Sequence, residues 1–374
     1  MNLPATQKLI AAARDRSNRP EDVGQAAQEF LQATEKISPR EMEAELSLLA
    51  QHFDLPAVER GAFLARMGGA LVERGCDPLP MARPLRLRLL PLLEDCARLA
   101  EACRMEMSEL EEGAEAGFQE SDELSDEDGD ELDDRNRHEA FEKVRQKVAP
   151  RFPKENAAWE ALHTFWLPAI AVYSVCPEAR WAAQALREPA QKIADFHEGG
   201  HWIQLILSVL DNEPLLVVEP ETRRGMLARS FGVVDNFQLN TLLMDVFPGT
   251  NSTGLRRVSW SAAETARGNG PQVSEEVVTG VWNLYDWRAL RSDLRLPDAE
   301  DYDSEEYWIW NEGIPADIPV IDDRRVILLG PASFSRSWRS QRMFDRLRAQ
   351  VHIEKQLTPE ETTAWLQRIA AAAR

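Results

Sequence analysis

The chain is 374 residues long, 44% hydrophobic and 28% charged, with a formal net charge of −20. That length suits two or three compact units, each with its own apolar interior. No apolar run approaches the roughly eighteen residues of a membrane span, and the lack of a long basic cluster argues against nucleic acid, whose phosphates need a basic face. The charge is largely local: fourteen acidic residues and no basic ones lie between Glu109 and Asp134, leaving only −6 for the rest. The start, Met1-Asn2-Leu3-Pro4, lacks a basic region followed by an apolar stretch, so a cytoplasmic location is expected.

Residues 1–108 read as an all-α domain. Leu9, Ile10 and Ala13, then Phe30, Leu31 and Thr34, recur at three-and-four spacing. Ser38-Pro39-Arg40-Glu41 marks a helix start, with Ser38 as cap, proline at the first helical position and Glu41 closing a capping box. Asp77-Pro78-Leu79-Pro80 breaks the pattern, and a leucine-rich stretch from Leu85 to Leu93, expected to be interrupted at Pro91, follows. Cys76, Cys96, Cys103 and Cys176 form neither a Cys-x-x-Cys pair nor a disulfide framework and read as buried free thiols.

Residues 109–136 have little apolar content and are expected to form an acidic, self-repelling flexible linker. Within it Asp126, Glu127 and Asp128 are candidates for docking a basic partner. Helical pattern resumes over residues 137–210, expected to pack on the C-terminal unit.

From residue 211 the rhythm becomes that of an α/β domain. Leu215 to Glu219 is a β-rich run bracketed by prolines, and further strands are expected at 226–234, 277–287, 307–310, 325–329 and 352–356. They interleave with helices expected at 237–246, 338–347 and 359–373; Asp235 caps the first, and Thr358-Pro359 with Glu361 starts the last. Asp322-Asp323 between apolar runs suggests a hairpin over 318–329. The fold class is therefore α+β or mixed α/β, a helical N-terminal domain followed by a mixed sheet with packed helices.

One string names a chemistry. In His197-Glu198-Gly199-Gly200-His201 a continuous helix would place both imidazoles on one face, one turn apart. The string resembles the zinc-binding signature of the zincin metallopeptidases. The resemblance implies zinc held by His197 and His201, Glu198 as the base that activates the metal-bound water, and a third ligand further on, for which Glu219 is the candidate. Two adjacent glycines cost about 1 kcal/mol each inside a helix, so a loop between two helices is the expected conformation. Glu219 closes a strand run before Pro220, which leaves the ligand set incomplete.

A second candidate is Tyr307-Trp308-Ile309-Trp310, where Trp308 and Trp310 could anchor a partner. No complete catalytic or cofactor constellation emerges from the rest of the chain. The resulting expectation is a non-catalytic, intracellular interaction or adaptor protein that holds a protein partner and needs no cofactor. The alternative is a zinc-dependent metallopeptidase built on residues 197–201.

Overall fold

Proline sets many of the helix starts in the first half of the chain. Its fixed φ and missing N–H fit the first helical position, where that donor has no intrahelical partner. The computed structural model describes residues 3–115, 126–247, 258–298, 306–331 and 336–373, with side chains outside 109–134. It divides into two units, Met1–Leu207 and Ser208–Arg374.

The first unit is helical. Its elements are α1 (Pro4–Arg14), α2 (Pro20–Thr34), α3 (Pro39–Ala50), α4 (Val58–Glu73), α5 (Leu79–Glu115), α6 (Asp126–Val148), α7 (Pro153–Val175), and the short α8 (Pro177–Ala182) and α9 (Arg187–Gln191), then α10 (Glu198–Ser208). Ser38 caps α3 as its sequence predicts: the Glu41 N–H donates to Ser38 Oγ at 3.4 Å, and the Glu41 carboxylate accepts the Ser38 N–H at 2.8 Å. Leu46, Leu64, Leu71, Leu89, Leu162 and Phe165 are wholly buried at the centre of the bundle. The four cysteines are free and buried, and burial pushes the Cys96 thiol up, away from thiolate chemistry.

Three expectations for this half are corrected. Pro91 does not interrupt the leucine-rich stretch, because α5 runs through both Pro84 and Pro91. Burial of Leu85, Leu89, Leu92, Leu93 and Cys96 outweighs the roughly 3 kcal/mol cost of an internal proline, at about 1.5–3 kcal/mol per large side chain. The segment at 137–210, expected on the C-terminal unit, belongs to the first unit up to Leu207, where α7 packs along α4 and α5. The acidic stretch is helical at both ends, since 109–115 complete α5 and 126–136 open α6. Residues 116–125 of the expected linker lie outside the described residues.

The second unit is built on a mixed sheet. In chain order it contains β1 (Leu210–Glu219), β2 (Arg224–Val233), α11 (Asn236–Val246), α12 (Trp260–Arg267), β3 (Val273–Thr279), β4 (Trp282–Tyr285), β5 (Val320–Ile321), β6 (Arg324–Pro331), β7 (Ser337–Gln341), β8 (Gln350–Leu357) and α13 (Pro359–Ala372). The sheet order is β4-β6-β1-β2-β8, with β5 paired to β6 and a separate β3-β7 ribbon. Only the β1/β6 pair is parallel among the described strands.

Period-two alternation supplies both faces of this sheet with apolar side chains. Leu215, Val217, Met226, Ala228 and Ile327 pack with α11 and α12 on one face, while Leu216, Val218, Val326 and Leu328 pack with Leu366 and Ile369 of α13 on the other. The β5–β6 hairpin turns on Asp322 and Asp323, both left-handed at φ 49° and 57°, as a type I′ turn requires. The α+β fold class thus stands as read from the sequence.

Local corrections are confined to aromatic segments. Residues 277–287 form two strands broken near Gly280, and 338–347 begin as strand β7 rather than as a helix, with Trp338 and Ser340 alternating inward. Residues 307–310 make a single bridge, Trp308 to Tyr285, instead of a strand.

Candidate functional site

The paired glycines of the His-Glu-Gly-Gly-His string do not form the expected loop. They lie in the first turn of α10, and the chain breaks one residue earlier, at His197. Their role is close approach. A Cβ on Gly199 would sit 3.0 Å from Trp166 Cδ1, and one on Gly200 would sit 2.5 Å from Ile193 Cγ1 and 3.0 Å from the Ala190 carbonyl oxygen. Glycine lets the start of α10 press against α7 and the turn after α9, a packing gain that offsets the local helix penalty.

His197 is buried and both ring nitrogens are engaged. Nδ1 accepts the Gly199 N–H at 2.9 Å, and Nε2 lies 3.1 Å from the Trp159 carbonyl, to which it can only donate. These partners fix the neutral tautomer. The ring stacks on His163 at 4.3 Å and meets Trp159 edge-on at 4.8 Å. Burial, reinforced by the charge of His163, pulls its pKa down to about 4.

The remaining members of the zinc pattern point elsewhere. His201 is exposed and packs edge-on against Trp202 at 5.3 Å, and Glu198 is exposed with Oε1 accepting from Trp202 Nε1 at 3.4 Å. Glu219 belongs to the second unit, where its carboxylate takes Arg224 and the Thr222 hydroxyl, and Trp282 Nε1 at 3.3 Å. Among the described residues no group of three or more His, Cys, Asp or Glu side chains is placed to hold a metal ion. The geometry assigns His197 to helix capping and interhelix bonding.

The aromatic segment at 307–315 is more organised than its composition suggests. It runs past the edge of β4, where the Asp286 N–H donates to Tyr307 O at 2.9 Å and the Ile309 N–H to Leu284 O at 2.8 Å. It then passes under the start of α11. There the Asn236 N–H donates to Gly313 O, the Phe237 N–H to Asn311 O, Asn236 Nδ2 to Trp310 O at 2.8 Å, and Asn240 Nδ2 to Asn311 Oδ1 at 3.3 Å. Asn236, Gln238 and Asn240 of α11 are therefore buried clamps.

Gln238 accepts the Val234 N–H at 2.8 Å and donates to Ala266 O at 2.7 Å. Asp235 caps α11 by accepting the Gln238 N–H at 2.7 Å, and burial pushes its carboxyl up to about 6. The chain matches no family model, no curated protein and no solved structure. A fold does not imply a function, which lies in the site itself.

Clamping leaves Trp310 in a defined place. The residue is 42% exposed, and its ring lies 5.2 Å from that of Trp308 and sits under the Arg336 guanidinium at 5.0 Å. Arg336 also approaches Glu312 at 3.9 Å. Beside this pair is a cleft of about 10 Å³ lined by Trp282, Asn283, Trp308, Asn311, Arg336 and Trp338. That volume holds about one water and no larger ligand. An exposed tryptophan with a stacked arginine beside it joins two residue types that, where they meet a partner, dominate the energetics of interfaces.

The sequence pointed to Trp308 and Trp310, but not to Arg336. Arg336 comes next to Trp310 only through tertiary folding, and the signal that could have found it is weak: an arginine beside Ser337-Trp338 in a short alternating run. Asp126, Glu127 and Asp128 fall in the first turn of α6, and their side chains lie outside the described residues.

Proposed function

We propose that this chain is a non-catalytic interaction protein that docks a protein partner on the Trp310–Arg336 face of its second unit. The observation carrying this reading is the half-exposed Trp310, held from beneath by the Asn236 amide and flanked by the Arg336 guanidinium. A preorganised aromatic anchor loses little conformational entropy on binding, which is what makes tryptophan and arginine effective contact residues. In this reading the acidic residues Asp126, Glu127 and Asp128 provide a second contact for basic groups of the same partner, and the complex forms in the cytoplasm without nucleic acid.

A zinc peptidase using Glu198, His197, His201 and Glu219 has less support, because the Nδ1 lone pair of His197 is occupied by Gly199 and its Nε2 proton by Trp159. Placing a photo-crosslinking amino acid at position 310, with the more exposed position 181 as a control, tests the proposal in cells that make the protein. A discrete adduct with one protein at 310 and none at 181, abolished by Arg336→Ala, supports it. Identical adduct patterns at both positions would overturn it.

A further inference from the structure

At the carboxyl ends of the parallel pair β1 and β6 the second unit carries a cavity of about 340 Å³. Open sheets with parallel strands bind ligands at this kind of place, beyond the strand ends, and the volume is at the lower end of the roughly 300–1,000 Å³ of small-molecule sites. One wall is the turn between β1 and β2, which contributes Glu221 and Arg223. The other is the segment carrying Arg295, Leu296 and Asp298, and the floor includes Leu329 and Gly330.

The two walls are tied together. Arg223 donates from Nη1 to the Leu294 carbonyl at 3.3 Å, using one of its five N–H groups. Arg223 and Leu294 both hold left-handed backbone, at φ 55° and 64°, a conformation that L side chains adopt only where the surroundings enforce it. Leu296 packs so closely on the end of β6 that a Cβ on Gly330 would lie 2.8 Å from its Cδ1. The segment bearing Arg295 and Asp298 is thereby held against the sheet.

The charges around this cavity are unusual in one respect. Two guanidinium groups and two carboxylates line it, yet none of the four is in an ion pair within 4.0 Å among the described residues. Opposite charges that share a cavity without closing on each other leave space for a group that would satisfy both. Among the described lining residues the charges sum to zero, so a dianion such as phosphate would leave charge unbalanced, whereas a net-neutral molecule would not.

We propose that this cavity binds a small zwitterion of amino-acid size, its carboxylate on Arg223 and Arg295, its ammonium toward Glu221 and Asp298, and its apolar body against Leu296 and Leu329. The site is separate from the Trp310 face and does not depend on partner docking there. The bidentate habit of guanidinium toward carboxylate supplies the orientation.

The test is calorimetric titration of the intact chain with each of the twenty standard amino acids, and with acetate, methylammonium and inorganic phosphate. The expected result is that at least one amino acid with an apolar side chain binds with a Kd below about 1 mM, while acetate and methylammonium, each carrying half of the recognition, do not. Arg295→Gln and Glu221→Gln, at exposed positions whose side chains bond no described residue, should each weaken that binding by about tenfold or more and leave the melting temperature of the free protein unchanged. Failure of all twenty to bind would overturn the proposal, as would affinity unchanged in both variants, or phosphate binding as tightly as the best amino acid.

Discussion

The Nε2–H of His197 donates to the main-chain carbonyl of Trp159 across 3.1 Å, joining the start of α10 to the middle of α7. Protonation would abolish the lone pair on Nδ1 that accepts the Gly199 N–H, and would bury a charge beside His163. His197 therefore titrates near 4 in the folded chain and near 6.5 in the unfolded one.

The sign of the resulting pH dependence follows from proton binding. Between those two values the unfolded chain binds more protons, so stability is fully present above about pH 6.5 and is lost as the pH falls toward 4. From pH 7.5 to 5 the contribution of His197 to unfolding of the first unit falls by about 2 kcal/mol. Urea unfolding of the wild type and of His197→Gln at both pH values checks this, with the variant expected to be less stable at pH 7.5 and less sensitive to acid.

Asp235 carries the opposite dependence. Burial raises its folded pKa to about 6, above the unfolded value of 3.8, so the folded state holds the extra proton and loses stability as the pH rises between those values. Asparagine caps helices as well as aspartate does and carries no charge. Asp235→Asn should gain about 2 kcal/mol relative to the wild type between pH 4.5 and 7.5, read from the second transition in chemical denaturation; no relative gain would show that the carboxylate is not buried as a charge.

Gly200→Ala tests the close approach at α10. Its methyl would meet Ile193 Cγ1 at 2.5 Å and the Ala190 oxygen at 3.0 Å, an overpacking that costs about 1–3 kcal/mol. A neutral or stabilising substitution would mean that the neighbouring side chains give way and the close approach does not require glycine.

Asn236→Ala removes the amide that holds the Trp310 carbonyl from below. The expected cost is about 1 kcal/mol of stability, with higher quencher access to tryptophan fluorescence and fewer photo-adducts from position 310. Stability lost with no change in quenching or adduct yield would separate the clamp from the proposed docking face.

His201→Ala and Glu198→Gln address the peptidase alternative. After equilibration with zinc, elemental analysis should find the same metal content in the wild type and both variants, since neither side chain converges on His197. Stoichiometric zinc in the wild type that is lost in His201→Ala would revive the metallopeptidase reading.

What the sequence determined alone are the features whose energetics close within a few residues. The capping boxes at Ser38 and Thr358, the left-handed turn at Asp322-Asp323 and the alternating run Leu215 to Glu219 each depend on neighbours along the chain, so helix starts, the hairpin and the α+β class were all legible. Tertiary structure decided the rest. His197 became a cap because its second partner, Trp159, lies 38 residues away, and Asn236 and Asn240 became buried clamps because their partners lie 74 and 71 residues away. Polarity along a helix predicts exposure only when nothing polar waits on the far side. In the same way Gly199 and Gly200 read as a helix break until the neighbouring side chains are in place, because local propensity counts the backbone penalty and cannot count the packing that outweighs it.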